Sequence, residues 1–275
     1  MISVIIVTHN NYGLKNGCIE SVILSLLVQK NIELEIIVVD NASSDEDVEQ
    51  LENYIFSLKN KSIVLVKNVI NNISSGRNLG AKFASGNVLV YMDDDMILPN
   101  KNIIFRLGEF AANHIYGYAA VRQWTEENWY NRNKNEVNEL LISDDDEICI
   151  RVSRPNPEIR RKKIDRHLIR TYIGNFGFIR KEALTNIGFW DEQYKGYGFE
   201  DDAMALKLYL MYGRPKVMDQ ITVIHIWHAI NEKNYVQLEM NRILYEKAIK
   251  ELGIKCFHVG RLMYEEEGII DSVKE

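Results

Sequence analysis

Cysteine is scarce: Cys18, Cys149 and Cys256 are the only three in 275 residues, and no two form a CxxC pair. That excludes a disulfide framework and a zinc knuckle, and it favours a reducing compartment. Long hydrophobic runs are missing too. None approaches the roughly 18 residues of a membrane-spanning helix, so the chain reads as cytoplasmic, or at most peripheral at a membrane, with no transmembrane segment. The apolar opening Met1–Val7 stops at Thr8-His9-Asn10, too short for a secretory core, and reads as a buried first strand. There is no excess of positive charge. A net charge of −6 disfavours nonspecific binding to nucleic acid or anionic lipid, and no nucleic-acid partner is expected. The glycine fingerprint GxGxxG is also missing. Thr8-His9-Asn10-Asn11-Tyr12-Gly13 follows the first strand instead, which disfavours a hydride-transfer dinucleotide fold. No internal repeat or low-complexity tract is present.

What is there is an ordinary globular composition, 46% hydrophobic and 26% charged, long enough for one large domain or two modest ones with ample core. Strand-like Ser3–Val7 leads to a helical pattern at Cys18–Gln29. Strand-like Leu34–Val39 leads to a helix starting at Ser43-Ser44-Asp45. Ile63–Val66 leads to a helical stretch over about Ser75–Ala84, and Val88–Met92 follows. Apolar strands alternating with amphipathic helices predict an α/β fold, a mostly parallel sheet covered on both faces. Between Trp124 and Arg170 the signals weaken. Asn128–Asn138 is polar, Ser143–Glu147 is acidic, and Ser153–His167 is basic and broken by proline, so the segment reads as a mobile surface insertion. Thr171–Arg180 restores order, with helices expected near Lys181–Ile187 and Glu200–Tyr212, a strand at Ile221–Ile226 and a helix over Asn231–Leu252.

The most informative junction is Val88-Leu89-Val90-Tyr91-Met92-Asp93-Asp94-Asp95. A buried strand ending in three carboxylates costs several kcal/mol unless something cationic neutralises them. Their oxygens are the hard ligands that Mg2+ or Mn2+ prefers, usually shared with substrate phosphates. An isolated acidic triplet is ordinarily a solvated turn, the reading that suits Asp144–Asp146; the strand ahead of Asp93 reverses it. In parallel sheets ligands gather at the carboxyl ends of strands, where Thr8, Asn10 and Asp40 also fall. Ser74-Ser75-Gly76-Arg77 opens a helix with free N–H groups and a fixed cation, suited to a phosphate or an aspartate; alone it would be a simple cap. Gly196-Tyr197-Gly198-Phe199-Glu200-Asp201-Asp202 places three acids in a helix's first turn. That is more than the helix dipole needs, and Trp190, Tyr197 and Phe199 stand near as apolar platforms. His225 and His228 flank a strand end, where one of them suffices as a ligand. A mixed oxygen and nitrogen shell favours Mn2+ over Mg2+.

In this order the pieces resemble a GT-A glycosyltransferase. The amino half, with Val4–Asn10, Val38–Asp45, Gly76–Gly80 and Met92–Asp95, resembles family 2 glycosyltransferases. The later half, with Gly174–Arg180, Gly188–Glu192, Gly198–Asp202 and His225-x-x-His228, resembles β-1,4-galactosyltransferases and polypeptide N-acetylgalactosaminyltransferases. The resemblance implies a GT-A fold: a nucleotide-sugar-binding half over 1–120, an acceptor and metal half over 121–230 with the insertion near 128–168, and a helical segment over 231–275. It implies that Thr8, Asn10 and Asp40 cradle the uracil and ribose of a UDP-sugar, that Arg77 lies beside the ribose or diphosphate, and that Asp93 and Asp94 contact the donor. Asp95, with His228 alone or with both His228 and His225, would hold Mn2+ or Mg2+. Glu200 and Asp201 would be catalytic, with Asp201 the base of an inverting transfer. Trp190, Tyr197, Gly198, Phe199 and Asp202 would line the acceptor. Tyr197 stands where the galactosyltransferases carry tryptophan, Phe199 replaces a glycine and Ala203 an aspartate, which leaves the acceptor open among carbohydrates, lipid-linked sugars and proteins. Three alternatives stay open: a retaining transferase of the same fold, a non-catalytic UDP-sugar-binding protein, and a sugar-nucleotide pyrophosphorylase, whose glycine-rich basic loop is missing at Thr8–Gly13.

Overall fold

The computed structural model describes residues 1–125, 129–143, 173–196, 198–226 and 235–252. The elements run β1 (Ile2–Thr8), α1 (Asn11–Lys15), α2 (Ile19–Leu27), β2 (Leu34–Asn41), α3 (Asp45–Leu58), β3 (Ile63–Asn68), α4 (Ile73–Phe83), β4 (Val88–Asp93), β5 (Met96–Ile97), α5 (Ile103–Asn113), β6 (Tyr116–Trp124), α6 (Trp129–Ile142), α7 (Ile173–Phe176), β7 (Gly177–Arg180), α8 (Lys181–Asn186), α9 (Glu200–Tyr212), β8 (Lys216–His225) and α10 (Tyr235–Glu251). Among the described residues the strands form one sheet in the order β3-β2-β1-β4-β7-β6-β8-β5. β1 pairs in parallel with β2 and β4, and β2 in parallel with β3. β7 is antiparallel to both β4 and β6. The sense of the sheet therefore changes at β4, the strand that carries the acids.

The strand alternation explains the two covered faces. Val4 and Ile6 point to the side where Val22, Ile23 and Leu26 of α2 and Ile104 and Leu107 of α5 pack. Ile5, Leu89 and Tyr91 point to the other, against Ala81 of α4, Leu184 of α8 and Met204 and Leu208 of α9. Successive strand residues face opposite ways, and each aliphatic side chain so buried contributes about 1.5–3 kcal/mol. The strands therefore read as continuous apolar runs. α4 sits unusually close to the sheet because of two glycines one turn apart. A Cβ on Gly76 would lie 2.8 Å from Val7 Cγ1, and one on Gly80 would collide with Ile5. This close seat puts Arg77 directly beneath the strand tips.

Several expected boundaries shift. α4 begins at Ile73, capped by Asn72, whose side chain accepts from the Ser75 N–H at 3.0 Å; the serines lie inside the helix. The polar stretch after residue 128 is not irregular up to Ile142. It forms α6, which buries Trp129, Tyr130, Val137 and Leu141. Trp129, Val137 and Leu141 keep a four-residue spacing in which Asn133 occupies the missing place, and that polar residue hides the helical period. Ser21 on α2 bonds Tyr130 at 2.8 Å and Asn138 at 2.6 Å. The strand expected at Ile221–Ile226 is the second half of β8, which begins at Lys216. The acidic run at Asp144–Asp146 and the basic segment Ser153–His167 lie outside the described residues.

Candidate active site

The strand-end acids of β4 have three different sets of partners. Asp93, the last residue of β4, accepts from the Asn175 amide and faces Arg77 at 4.0 Å. Burial and then the charge of Asp95 push its carboxyl upward, with Arg77 opposing them. Asp94 is buried and accepts from Thr8 Oγ1 at 2.7 Å, Asn11 Nδ2 at 2.9 Å and Lys15 Nζ at 2.6 Å. Asp95, also buried, meets Lys15 Nζ at 2.7 Å on one oxygen and His225 Nε2 at 3.0 Å on the other. The sheet register accounts for the second contact. β5 pairs antiparallel with β8 so that Met96 stands opposite His225, and the Asp95 carbonyl accepts from Ile226 N–H at 2.8 Å. The imidazole and the strand-tip acid, 130 positions apart in the chain, are thus brought together by strand pairing. His228 lies outside the described residues.

Lys15 is a functional candidate that the sequence reading missed. Its signal was its place four residues after Asn11 in the loop following β1, since residues at i and i+4 of a helical turn share a face. Both side chains reach Asp94. Burial disfavours the ammonium charge, but Asp94 and then Asp95 outweigh it and hold Lys15 protonated.

Arg77, read as a cation suited to a phosphate or to an aspartate, has carboxylates as its partners. It is buried, and its guanidinium joins the two halves of the site, with Asp201 at 3.3 Å, Glu200 at 3.7 Å and Asp93 at 4.0 Å. It also lies over the Trp190 ring at 4.3 Å. Burial works against its charge, but Asp201, Glu200 and Asp93 prevail. A Cβ at Gly174 would run into both the guanidinium and the Asp201 carboxylate, so the chain before β7 seals this pair with bare backbone.

At the ends of β1 and β2 the polar residues lace the loops to each other. Asn10, left-handed at φ 49°, accepts from Ser44 N–H at 2.7 Å on its side chain and donates its own N–H to Ser43 Oγ at 2.9 Å. Asp40 is buried and accepts from Ser43 N–H at 3.2 Å. Thr8 is buried on Asp94. These residues shape the rim that the resemblance assigns to uracil and ribose.

On the far side, α9 starts with Glu200, Asp201 and Asp202 in its first turn. Gly198 and Phe199 ahead of it are both left-handed, at φ 97° and 70°. For phenylalanine this conformation costs roughly 1–2 kcal/mol. Phe199 is nonetheless buried, 5.8 Å from Tyr245 of α10, and Asn241 of α10 donates to the Gly198 carbonyl at 2.9 Å. Phe199 therefore anchors α10. Trp190 is likewise core, 2% exposed and edge-on to Tyr91 at 5.2 Å. Neither offers the open acceptor platform expected of it, because the apolar faces are spent inside. Tyr197 lies outside the described residues, and Asp202 is half-buried.

Burial and then the charge of Asp201 push the Glu200 carboxyl up to about 7. Its folded value stands above the ordinary 4.5, so the folded state holds more proton and stability falls as pH rises between the two, by up to about 3 kcal/mol. Glu200→Gln should flatten that slope. Urea unfolding at about pH 5 and about pH 8 checks it, and a slope equal to wild type would contradict the buried, raised carboxyl.

Glycosyl transferase family 2 matches residues 3–188, ending ahead of the Gly198–Asp202 and His225 motifs. None of the curated proteins matches the chain significantly. Among solved structures it is similar to GalNAc-T7 with UDP, GalNAc and Mn2+, at 16% identity and TM-score 0.62, covering 99% of this chain and 57% of that one. It is similar to the mannosyltransferase PcManGT from Pyrobaculum calidifontis in complex with GDP-Man and Mn2+, at 17% identity and TM-score 0.59, covering 90% and 64%. A third is S. aureus TarS 1–349 in complex with UDP-GlcNAc, at 20% identity and TM-score 0.55, covering 84% and 60%. The chain spans about three-fifths of the length of these structures. At such identities the likeness is one of fold, the GT-A fold. Among the described residues no helix is long and apolar enough to cross a membrane.

Proposed function

The chain belongs to glycosyl transferase family 2, and we propose that it moves a hexose or N-acetylhexosamine from a UDP-sugar to an acceptor hydroxyl with inversion. The observation that carries this reading is the convergence on one sheet edge of the Asp95–His225 pair and, through Arg77, of Asp93 with Glu200 and Asp201. A UDP donor fits the ligands of two structural neighbours, UDP with GalNAc and UDP-GlcNAc.

The donor set suits a divalent ion. Among the described residues no three acidic, histidine or cysteine side chains already form a ligand group. However, a carboxylate and an imidazole 3.0 Å apart beside two further acids are the mixed shell that Mn2+ accepts. Asp95 and His225 would hold the ion, which supplies Lewis-acid charge to the leaving diphosphate when bound. Thr8, Asn10 and Asp40 form the nucleotide rim. Asp201 takes the proton of the acceptor hydroxyl while that oxygen bonds to the anomeric carbon and the bond to the UDP oxygen breaks, so UDP leaves with the electron pair. Arg77 fixes the direction of the Asp201 carboxylate, and Asp202 stands toward the acceptor. The acceptor is a hydroxyl of a carbohydrate, a lipid-linked sugar or a protein.

UDP release from a panel of UDP-sugars with Mn2+ and an acceptor screen tests the reading. One sugar should turn over, EDTA should stop it, and Asp95→Ala should reduce it by at least about a hundredfold. Metal-dependent UDP binding with no turnover across the acceptor panel would instead make this a binding module. A product that keeps the donor's anomeric configuration would assign the retaining chemistry.

A further inference from the structure

Lys15 gives the acidic tip a cation of its own. Its ammonium lies 2.6 Å from Asp94 Oδ1 and 2.7 Å from Asp95 Oδ2. The other Asp95 oxygen faces His225 at 3.0 Å, so neither oxygen of the metal-binding aspartate is idle. A divalent ion takes a carboxylate oxygen at about 2.0–2.2 Å. Placed on Asp95, it would lie within a few ångströms of a positive charge bonded to the same group, and in a buried setting such repulsion is weakly screened. The ammonium on one Asp95 oxygen therefore weakens the hold of that carboxylate on an ion at the oxygen facing His225, whereas Asp94, held by Thr8 and Asn11, can retain the ammonium when it leaves Asp95. The lysine side chain is 20% exposed, and α1 is a five-residue turn between left-handed Asn10 and Asn16. Rotation of the side chain alone can therefore carry the ammonium off Asp95 toward an arriving diphosphate.

Resting on the metal-site reading above, we propose that Lys15 is a resident counter-cation that makes metal binding depend on the donor. Mn2+ binds the free protein weakly and binds tightly once a nucleoside diphosphate draws the ammonium from Asp95. By linkage the ion tightens diphosphate binding by the same factor. Lys15 thus determines the order in which the site fills and discourages loading of the free enzyme with whatever divalent cation is abundant.

The test is an electron paramagnetic resonance titration of Mn2+ with and without UDP, corrected for the Mn2+–UDP complex in buffer, on wild type, Lys15→Met and Lys15→Arg. UDP should tighten wild-type Mn2+ binding about tenfold or more. Lys15→Met should bind Mn2+ without UDP about tenfold more tightly than wild type, with a reduced UDP effect, while Lys15→Arg should stay near wild type. Melting temperatures give a second readout if Lys15→Met is fragile in chelator. Mn2+ should raise its melting temperature more than it raises that of wild type. An unchanged Mn2+ affinity in Lys15→Met, with a normal UDP effect in wild type, overturns the role of Lys15 alone. So does tight wild-type binding without UDP. Wild type that takes no Mn2+ even with UDP overturns the metal site itself.

Discussion

Asp201→Asn should bind UDP as wild type does and lose transfer by roughly 10²–10⁴-fold, the loss expected when only proton removal is taken away. Two geometric facts single out Asp201 over its neighbour. Its side chain is 27% exposed against 13% for Glu200, so of the two it is the more accessible carboxylate for the proposed proton transfer. It also lies nearer Arg77, at 3.3 Å against 3.7 Å, which fixes its orientation. The amide keeps the shape and removes the charge that accepts a proton. Calorimetric titration with UDP measures the first effect, and release of UDP under saturating donor measures the second. Near-wild-type turnover would dismiss Asp201 as the base. Loss of UDP affinity in step with turnover would assign it a structural role instead.

How far the sequence led depends on the distance each argument had to cover. β1, β2 and β4 were legible because β-branched runs buried on both faces leave no polar periodicity to confuse. α9 fell at Glu200–Tyr212 as read, since its acid-rich first turn and the glycine after it punctuate both ends. The meeting of Asp95 with His225 followed from placing both at strand ends. The partners that decide the electrostatics were not legible. Lys15 finds its acids some 80 positions away and Arg77 finds Asp201 across 124 positions, and nothing local marks a cation as internal. Burial was misjudged for the same reason. Trp190 and Phe199 looked like platforms because aromatic residues beside a glycine loop suit a sugar, but the Arg77 guanidinium and α10 already cover them. β6 escaped notice because nothing in Tyr116–Trp124 alone announces that β7 and β8 flank it.

Arg77→Met should be the most damaging single change to the folded state. Removing the guanidinium leaves Asp93, Glu200 and Asp201 facing one another around a thioether, and deleting one partner of a buried ionic cluster typically costs about 3–5 kcal/mol. For a domain of this size that lowers the melting temperature on the order of 10 °C. The loss should depend on pH in a definite direction. Without the cation the three carboxyls hold their protons to higher pH in the folded state than in the unfolded one. Folded protein then binds more protons, and stability falls as pH rises through the carboxylate range. The deficit against wild type should accordingly shrink toward about pH 5 and grow toward about pH 8. Arg77→Lys should recover only part of the loss, since an ammonium neither forks to two carboxylates nor stacks on Trp190, and Gly174 leaves room shaped to the flat guanidinium. Differential scanning calorimetry of the three proteins across that pH range decides the matter. A melting temperature within about 2 °C of wild type at the alkaline end would mean that the carboxylates do not need Arg77, and that the two halves of the site are held together by packing alone.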